Sequence, residues 1–273
     1  MKVYPPGMTK MISSLQNPLI KNVLLLSEKP RARKEQNRIV IEGLREIRLA
    51  VSGGFNITDL YYSPELFSAE ELASLALQNN QVEFIEVSLS VFNRMAYRKD
   101  SGGLIALSEP RRLVFADLQL SSCPLLLVLE TVEKPGNLGA LLRTADAANL
   151  DAVIICNPQT DIYNPNAIRS SIGCVFTMPV VTTNSEEAMS WIRSAGITMF
   201  GTALTATHYY HDANLVKPAA IIMGSEATGL SPAWLEGANY LIKIPMKGKI
   251  DSMNVSTSAA VVVFEALRQR NFR

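Results

Sequence analysis

The sequence predicts an α/β protein whose C-terminal part is built on a mostly parallel sheet. Short apolar runs recur from Pro124 onward, and segments with helical spacing, such as 186–195, separate them. Uninterrupted apolar runs are typical of parallel strands that are buried on both faces. The predicted strands cover 125–130, 152–156, 197–204, 219–224 and 240–246.

The first hundred residues alternate helical and strand patterns. After a short β-rich stretch from Arg38, Leu44, Ile47 and Val51 follow helical spacing. Further strands are predicted at 57–63, 82–88 and 104–110. We therefore predict a small α/β domain over 1–108, a linker over 109–122 and a second domain over 123–273.

The last predicted helix runs from 255 to 270 and carries one apolar stripe. Such a stripe is compatible with core packing and also with the interface of a dimer. The residues of the stripe are Val255, Ala259, Val262, Val263 and Leu267.

Composition predicts a soluble globular protein of the cytoplasm. Hydrophobic residues make up 48% of the chain, but no apolar run reaches the roughly 18 residues of a membrane helix. The first residues lack the apolar core of a signal peptide. Cys123, Cys156 and Cys174 are odd in number and form no C-x-x-C, so neither a disulfide framework nor a zinc site is predicted.

Basic residues are concentrated in the first part of the chain. Residues 1–112 hold 15 Lys and Arg against 12 Asp and Glu, and the densest stretch is 28–38. This stretch is either a contact for nucleic-acid phosphates or a solvated loop. Tyr97 with Arg98 and Lys99 is likewise either an RNA contact or a solvated turn.

The two histidines of the chain, His208 and His211, raise the question of a metal site. No third ligand with known spacing lies near them in the sequence, so we predict no metal and place both on a loop.

The loop after the first strand of the second domain lacks the common nucleotide-binding signatures. It contains Gly136 and Gly139, but neither the G-x-G-x-x-G of dinucleotide-binding folds nor the Gly-Lys-Ser/Thr of P-loops. A nucleotide-dependent oxidoreductase is therefore disfavoured. Asn137 is predicted to be the N-cap of a helix that buries Leu138, Leu141, Leu142 and Ala145.

Polar residues collect in this helix and in two glycine-rich loops, 221–234 and 244–260. Both loops follow predicted strands, and open α/β sheets bind ligands at the carboxyl ends of strands. Arg143 is either a surface residue or a planar fork of donors for a phosphate or a developing alkoxide. The polar candidates for a site are Asn137, Arg143, Glu226, Ser252 and Asn254.

Three segments resemble the motifs of a known enzyme family. Residues 137–147 (NLGALLRTADA), 221–231 (IIMGSEATGLS) and 244–269 (IPMKGKIDSMNVSTSAAVVVFEALRQ) are similar, in order and spacing, to those of the SpoU, or TrmH-like, branch of the SPOUT RNA methyltransferases. Residues 1–108 resemble the substrate-binding domain that often precedes them. The resemblance implies S-adenosylmethionine-dependent methylation of a ribose 2′-hydroxyl in RNA. It also implies a SPOUT fold with a deep trefoil knot, and a homodimer.

The resemblance also assigns residues. Arg143 matches the residue that activates the ribose hydroxyl. Because an arginine normally titrates above about 12, we expect Arg143 to hold a phosphate and stabilise the forming alkoxide, with Ser252 and Asn254 orienting the nucleophile. Asn137 and Glu226 match other motif positions. The implied cofactor-binding residues, acting mainly through main-chain groups, are Gly201, Thr202, Gly224, Ile244, Met246 and Met253.

Two questions stay open at this level. The RNA is either ribosomal, which the N-terminal domain favours, or transfer RNA. The scaffold could also bind RNA without catalysing any reaction.

Overall fold

A computed structural model describes residues 11–73, 75, 82–97 and 102–272. Its contacts divide the chain into two units, Met1–Arg111 with Tyr163–Thr177, and Arg112–Ile162 with Met178–Arg273. The segment from Tyr163 to Thr177 lies between two strands of the second unit in sequence, yet it packs with the first. Arg98 and Lys99, which the sequence offers as RNA contacts, lie outside the described residues.

The helices and strands have the following bounds. The helices are α1 Pro18–Glu28, α2 Pro30–Gln36, α3 Leu44–Ser52, α4 Ala69–Ala73, α5 Leu89–Met95, α6 Pro135–Ala147, α7 Pro165–Ser170, α8 Ser185–Ser194, α9 Pro232–Gly237 and α10 Val255–Gln269. The strands are β1 Ile39–Glu42, β2 Ile57–Tyr62, β3 Glu83–Glu86, β4 Leu104–Ser108, β5 Leu125–Glu130, β6 Ala152–Cys156, β7 Val180–Thr183, β8 Thr198–Thr202, β9 His208–Tyr209, β10 Ala219–Met223 and β11 Tyr240–Lys243.

The first unit contains a four-stranded sheet in the order β1-β4-β2-β3. β4 is antiparallel to β1 and β2, whereas β2 and β3 are parallel. The strands predicted at 57–63, 82–88 and 104–110 are confirmed as β2, β3 and β4. Fully buried side chains from α1, α5 and the sheet, among them Ile20 and Phe92, form its core.

The second unit is built on a seven-stranded sheet in the order β7-β6-β5-β10-β8-β11-β9. Every neighbouring pair is parallel. β5, β6 and β10 are buried along their whole length, in agreement with their apolar runs. All five predicted strands are present. The sequence did not predict β7 and β9, which are short and carry exposed polar residues.

Helices cover the second sheet, and their packing defines its core. Trp234 of α9 is fully buried against side chains of β5, β6 and β10. α10 packs on α6, and Ala259, Val262 and Val263 of the predicted stripe are buried. Phe115, in the segment 112–122, stacks on Trp191 of α8 with ring centroids 4.5 Å apart. This part of the predicted linker therefore packs on the second unit.

Two local predictions are wrong. α6 begins at Pro135 with Lys134 as its N-cap, so Asn137 does not cap it. Proline is favoured at the first helical position because its φ is already helical and its missing N–H would have no partner there. Asn137 therefore lies within the first turn. His208 and His211 lie in β9 and in a 3₁₀ helix, Tyr210–Asp212, rather than in an irregular loop.

The described part of the chain contains no group of three or more His, Cys, Asp and Glu that could hold a metal ion. Among the helices described here, none has the length and apolar character needed to cross a membrane.

Arg270 joins the end of α10 to two distant segments by hydrogen bonds. Its guanidinium donates hydrogen bonds to the carbonyl oxygens of Leu215 at 2.8 Å and Lys217 at 2.6 Å. It also donates to those of Cys123 at 2.7 Å and Pro124 at 3.3 Å. A planar fork with five N–H groups can serve several carbonyls at once. The C-terminal helix is thus held to the segment before β10 and to the chain that enters β5.

We expect Arg270→Met to lower the free energy of unfolding of the second unit by about 2 kcal/mol, because charge-assisted hydrogen bonds are lost. Arg268→Met is the matched control, since Arg268 is exposed and bonds Glu265 of its own helix; we expect a smaller loss. Urea unfolding followed by tryptophan fluorescence measures this, because Trp191 and Trp234 both lie in the second unit. Equal losses in the two variants would contradict the anchoring role.

Candidate functional site

Four strands of the second unit end at the same edge of its sheet. β5, β10, β8 and β11 are consecutive neighbours and are parallel, so their carboxyl ends coincide. α6 begins shortly after β5, the glycine-rich loop 224–231 follows β10, and the segment 244–254 follows β11. The carboxyl edge of an open parallel sheet is where such folds bind ligands. The predicted site residues therefore lie on loops that share this edge, or on the helix that follows one of them.

A chain of side-chain hydrogen bonds joins the first turn of α6 to the two loops. Asn254 Nδ2 donates to Asn137 Oδ1 at 3.1 Å, and Asn137 Nδ2 donates to Glu226 Oε1. Lys134 Nζ lies 3.3 Å from the other carboxylate oxygen of Glu226. We call Asn254, Asn137 and Glu226 the amide–carboxylate chain. It brings together one polar residue from each of the three motif segments.

Asn254 is also the N-cap of α10. Its Oδ1 accepts hydrogen bonds from the N–H groups of Ser256 at 3.0 Å and Thr257 at 3.4 Å. With that oxygen occupied, the amide nitrogen bonds Asn137. Aspartate caps helices about as well as asparagine, but it has no N–H to donate. The second role of Asn254 therefore requires an amide.

Glu226 has one carboxylate oxygen without a hydrogen bond. Its side chain is only 16% exposed. Oε2 is buried, and among the described residues no donor forms a hydrogen bond with it, although Lys134 Nζ is 3.3 Å away. Buried acceptors are nearly always paired with a donor from protein, water or ligand. The oxygen marks a position that suits a donor group of a bound molecule.

Gly224 begins a tight loop that only glycine fits. A Cβ at this position would lie 2.2 Å from the carbonyl carbon of Gly229. Ser225 and Gly229 close the loop with reciprocal N–H···O bonds of 3.0 and 3.1 Å. The loop brings its main chain close to the end of β10 without intervening side chains.

The segment after β11 carries main-chain groups that no other described residue uses. The N–H and C=O groups of 244–253 form no hydrogen bonds within the described part of the chain. Residues 244–246 are half-buried, and Met253 is 36% exposed. Main-chain polar groups need a partner, which here is water or a ligand. The segment therefore suits a molecule held by main-chain contacts, as predicted for Ile244, Met246 and Met253.

Gly201 and Thr202 end β8, between the two loops just described. A Cβ on the buried Gly201 would lie 2.9 Å from Leu241 Cδ2 and 3.0 Å from Leu230 Cδ1, so a larger residue would require these two leucine side chains to shift. Thr202 Oγ1 donates to the carbonyl oxygen of Ile222 at 2.8 Å. The hydroxyl of Thr202 thus joins β8 to β10. What remains available to a ligand at the end of β8 is the main chain.

The structure does not bring Arg143 or Ser252 into contact with the amide–carboxylate chain. The Arg143 side chain is exposed on α6 and bonds no other described residue. It lies six positions after Asn137, which is about 9 Å along the helix axis and roughly a third of a turn around it. Ser252 is exposed and donates to the neighbouring Asp251 at 3.2 Å.

Comparison with known proteins identifies this arrangement. Residues 124–264 match the model of the SpoU rRNA methylase family. The chain belongs to the SpoU rRNA methylase family. Residues 17–106 match a second model, described as an MRM3-like substrate binding domain. The resemblance of the three motif segments is thus confirmed.

Relatives of this family member share most of its length. A 23S rRNA (guanosine-2′-O-)-methyltransferase RlmB from Vibrio vulnificus is 36% identical over 202 residues, which cover 70% of this chain and 82% of the relative. A solved RNA 2′-O ribose methyltransferase is 38% identical, with a TM-score of 0.82, over 96% of this chain and 100% of that one. The SpoU methyltransferase AviRb from Streptomyces viridochromogenes, solved with AdoMet, is 27% identical, with a TM-score of 0.85, over 94% and 99%.

A buried carboxylate that was not predicted from the sequence joins the loops of this SpoU family member. Glu130 ends β5 and is 3% exposed. Its oxygens accept hydrogen bonds from Ser185 Oγ at 3.1 Å, Ser231 Oγ at 2.6 Å and Ser231 N at 2.8 Å. Asn157 Nδ2 and Trp234 Nε1 each donate to Ser185 Oγ at 2.9 Å. Because Ser231 ends the loop that begins at Gly224, Glu130 fixes where that loop ends.

Only a weak signal in the sequence points to Glu130, namely an acidic residue at the end of an apolar run. Its donors Ser185 and Ser231 lie 55 and 101 positions away, so local pattern does not reveal its burial. The structure also shows an effect on its cross-strand neighbour. Burial and the charge of Glu130 raise the pKa of Cys156 to about 12, so this thiol stays neutral.

We expect Glu130→Ala to lower the free energy of unfolding by about 3 kcal/mol, because three partly buried donors lose their acceptor. Glu130→Gln should lower stability less, since it keeps the shape and one acceptor oxygen. It should still lower stability somewhat, because its amide N–H groups face other donors. Glu133→Ala, at an exposed position, is the control and should change stability by no more than about 0.5 kcal/mol. Urea unfolding gives all three values, and a Glu130→Ala protein as stable as the control would rule out the network.

Proposed function

We propose that this protein transfers a methyl group from S-adenosylmethionine to a ribose 2′-hydroxyl of ribosomal RNA. The RlmB relative is named a 23S rRNA 2′-O-methyltransferase, and AviRb was solved with AdoMet. The observation in this chain that carries the proposal is the amide–carboxylate chain. It links residues of all three motif segments at the carboxyl edge of a parallel sheet.

The cofactor is held beside the ends of β10, β8 and β11. Main-chain groups of Gly224, Ile244, Met246 and Met253 bind it, with Gly201 and Thr202 next to them. Three features support this placement: the tight loop at Gly224, the main chain of 244–253, and the oxygen of Glu226 that accepts no hydrogen bond from a described residue. When bound, the cofactor supplies an electrophilic sulfonium methyl group.

Arg143 binds the phosphate next to the target ribose and stabilises the negative charge that forms on the 2′-oxygen. A guanidinium stays protonated in proteins, so charge stabilisation suits it better than plain base catalysis. Its exposure and lack of partners among the described residues leave it available to an RNA phosphate.

Asn254 and Ser252 orient the 2′-hydroxyl toward the methyl donor. Asn254 is the better fixed of the two, because the helix cap and the bond to Asn137 hold both ends of its amide. Ser252 bonds only its neighbour Asp251 and can turn toward a substrate. Correct placement of a nucleophile can lower a barrier by several kcal/mol without any further chemistry, roughly 7–11 kcal/mol in ideal cases.

The proposal includes an organisation for the whole molecule. Residues 1–108 bind the RNA substrate, which the match of 17–106 to a substrate binding domain supports. Residues 109–122 connect this domain to 123–273, which carries the deep trefoil knot. Two copies form a homodimer in the cytoplasm, and the exposed Phe264 and Phe272, at 42% and 68%, offer an apolar surface for it near the chain end.

Methyl transfer from labelled S-adenosylmethionine to rRNA of cells lacking the protein tests the proposal. We expect wild-type protein to label one rRNA species, with the 2′-O-methyl group mapped to a defined nucleotide. Arg143→Ala should lower kcat by about 10²–10³-fold, because a charge aimed at the oxyanion is lost, while cofactor affinity stays unchanged. Arg193→Ala, at an exposed arginine of α8, is the control. Labelling of tRNA instead of rRNA would show that the substrate is tRNA. If no RNA is labelled, the methyltransferase proposal fails and the alternative is a protein that binds RNA without catalysis.

The amide of Asn254 can be tested apart from its helix cap. Asn254→Asp keeps a good cap but removes the donor to Asn137, so we expect kcat to fall at least about tenfold with stability nearly unchanged. Asn184→Asp makes the same change at the cap of α8, where the oxygen accepts from Glu187 N at 2.9 Å, and it should leave methyl transfer intact. The test is the rate of methyl transfer at saturating cofactor. Equal rates for the two variants would show that the amide of Asn254 has no role in the reaction.

A further inference from the structure

An aromatic cluster in the second unit has no part in the proposed chemistry. The rings of Tyr209 and His211 are nearly parallel, with an interplanar angle of 12° and centroids 5.6 Å apart. Tyr210 meets His211 edge-on, with centroids 5.2 Å apart at 88°. We call Tyr209, Tyr210 and His211 the aromatic platform.

The platform lies near the predicted cofactor segment. β9 is parallel to β11, and Tyr209 is paired with Lys243, the last residue of β11. The segment 244–253 begins at the next residue, and adjacent strands are about 4.8 Å apart. The platform is therefore at the carboxyl edge of the sheet, one strand beyond the strand that leads into the cofactor loop.

A cation accompanies these rings. Lys243 Nζ lies 6.0 Å from the centroid of the Tyr209 ring. Two acidic groups face His211, Asp212 at 3.7 Å from Nε2 and Glu265 of α10. The charge of Glu265 is already balanced, because Arg268 binds both of its oxygens at 2.7 and 2.8 Å. Lys243 itself forms no ion pair with another described residue, so its charge is available to a phosphate that comes close to the platform.

The platform is exposed but firmly supported. Tyr209 is 39% exposed, and the His211 side chain is 47% exposed. Gln269 of α10 holds the backbone that follows, since its Nε2 donates to Ala213 O at 3.0 Å and its Oε1 accepts from Leu215 N at 2.9 Å. Rings on an anchored backbone bind a partner with little loss of conformational entropy.

We propose that the aromatic platform stacks an unpaired base of the RNA substrate and that Lys243 contacts the adjoining phosphate. The proposal rests on the proposed function, because it supposes that RNA reaches this edge of the sheet. Stacking on Tyr and His rings is the usual way in which proteins hold splayed-out bases of single-stranded RNA. The cluster carries hydroxyls, ring nitrogens and a cation rather than aliphatic side chains, which favours RNA over a second copy of this chain.

Binding of a short fluorescein-labelled RNA, single-stranded or annealed to its complement, tests the platform in the full-length protein. We expect Tyr209→Ala to raise the Kd for the single strand about tenfold, because one stacked base is lost. Tyr209→Phe should bind like wild type, since it keeps the ring. Tyr240→Ala is the matched control, because Tyr240 is a 54% exposed tyrosine at the opposite end of β11; it should also bind like wild type.

The same variants separate the platform from the catalytic proposal. In methylation assays Tyr209→Ala should raise KM for rRNA with kcat and cofactor affinity nearly unchanged. Unchanged cofactor affinity also reports correct folding, and His211→Ala takes its place if Tyr209→Ala fails to fold. Three results would overturn the platform. The first is equal Kd values for Tyr209→Ala and Tyr240→Ala, and the second is a loss of affinity of Tyr209→Ala for duplex RNA as large as that for the single strand. The third is a mass of Tyr209→Ala in light scattering that is half that of wild type, which would show that Tyr209 contacts a second copy of the chain. If wild type binds RNA through Tyr209 but methylates none, the platform stands and the proposed function fails.

Discussion

The candidate site depends on the parallel pairing of β10 with β5 on one side and β8 on the other. In a parallel sheet all strands end at one edge, so loops that are far apart in sequence meet there. Asn137 is 89 positions from Glu226 and 117 from Asn254, yet both bond it. A slip of one residue in this pairing would turn every side chain of β10 to the opposite face. Both faces of β5 and β10 are apolar, so their packing alone would tolerate such a slip. The polar contacts at the carboxyl edge would not, because they form in one register only.

Two acidic residues at this edge illustrate the difference between a structural and a ligand-directed carboxylate. Glu130 is buried and has donors on both oxygens, so its burial is compensated within the protein. Glu226 has a donor on Oε1, whereas Oε2 is buried without a hydrogen bond among the described residues. Lys134 Nζ, on a 70% exposed side chain, lies 3.3 Å from Oε2 and balances part of its charge. A donor group of a bound molecule can still form a hydrogen bond with Oε2, which agrees with the role proposed for Glu226, whereas both oxygens of Glu130 already accept hydrogen bonds within the protein.

The sequence predicts the parts of the fold that local chemistry determines. β6 and β10 are apolar throughout, and β5 is apolar up to Glu130; α10 has an apolar stripe that follows the polar N-cap Asn254, so the prediction of these elements was correct. β9 has two residues and exists because β11 offers it a partner, which no local pattern reveals. The motif residues could be chosen by resemblance, but the bonds among them and the network of Glu130 depend on contacts distant in sequence. The start of α6 at Pro135 follows instead from a local preference, that of proline for the first helical position.

The exposure of Arg143 agrees with the role proposed for it. A guanidinium already paired with a carboxylate would have to break that pair before it could bind RNA, whereas one in water gives up only hydration. At 4 Å, two unit charges attract by about 1 kcal/mol in water but by about 4 kcal/mol at the lower effective dielectric near a covered protein surface. In the proposed complex RNA covers the surface around Arg143, so its charge would act at full strength only with the substrate in place. A contact made away from the reacting sugar, such as stacking on the aromatic platform, then raises kcat/KM through affinity for the RNA, while kcat depends on Arg143 and the groups at the ribose.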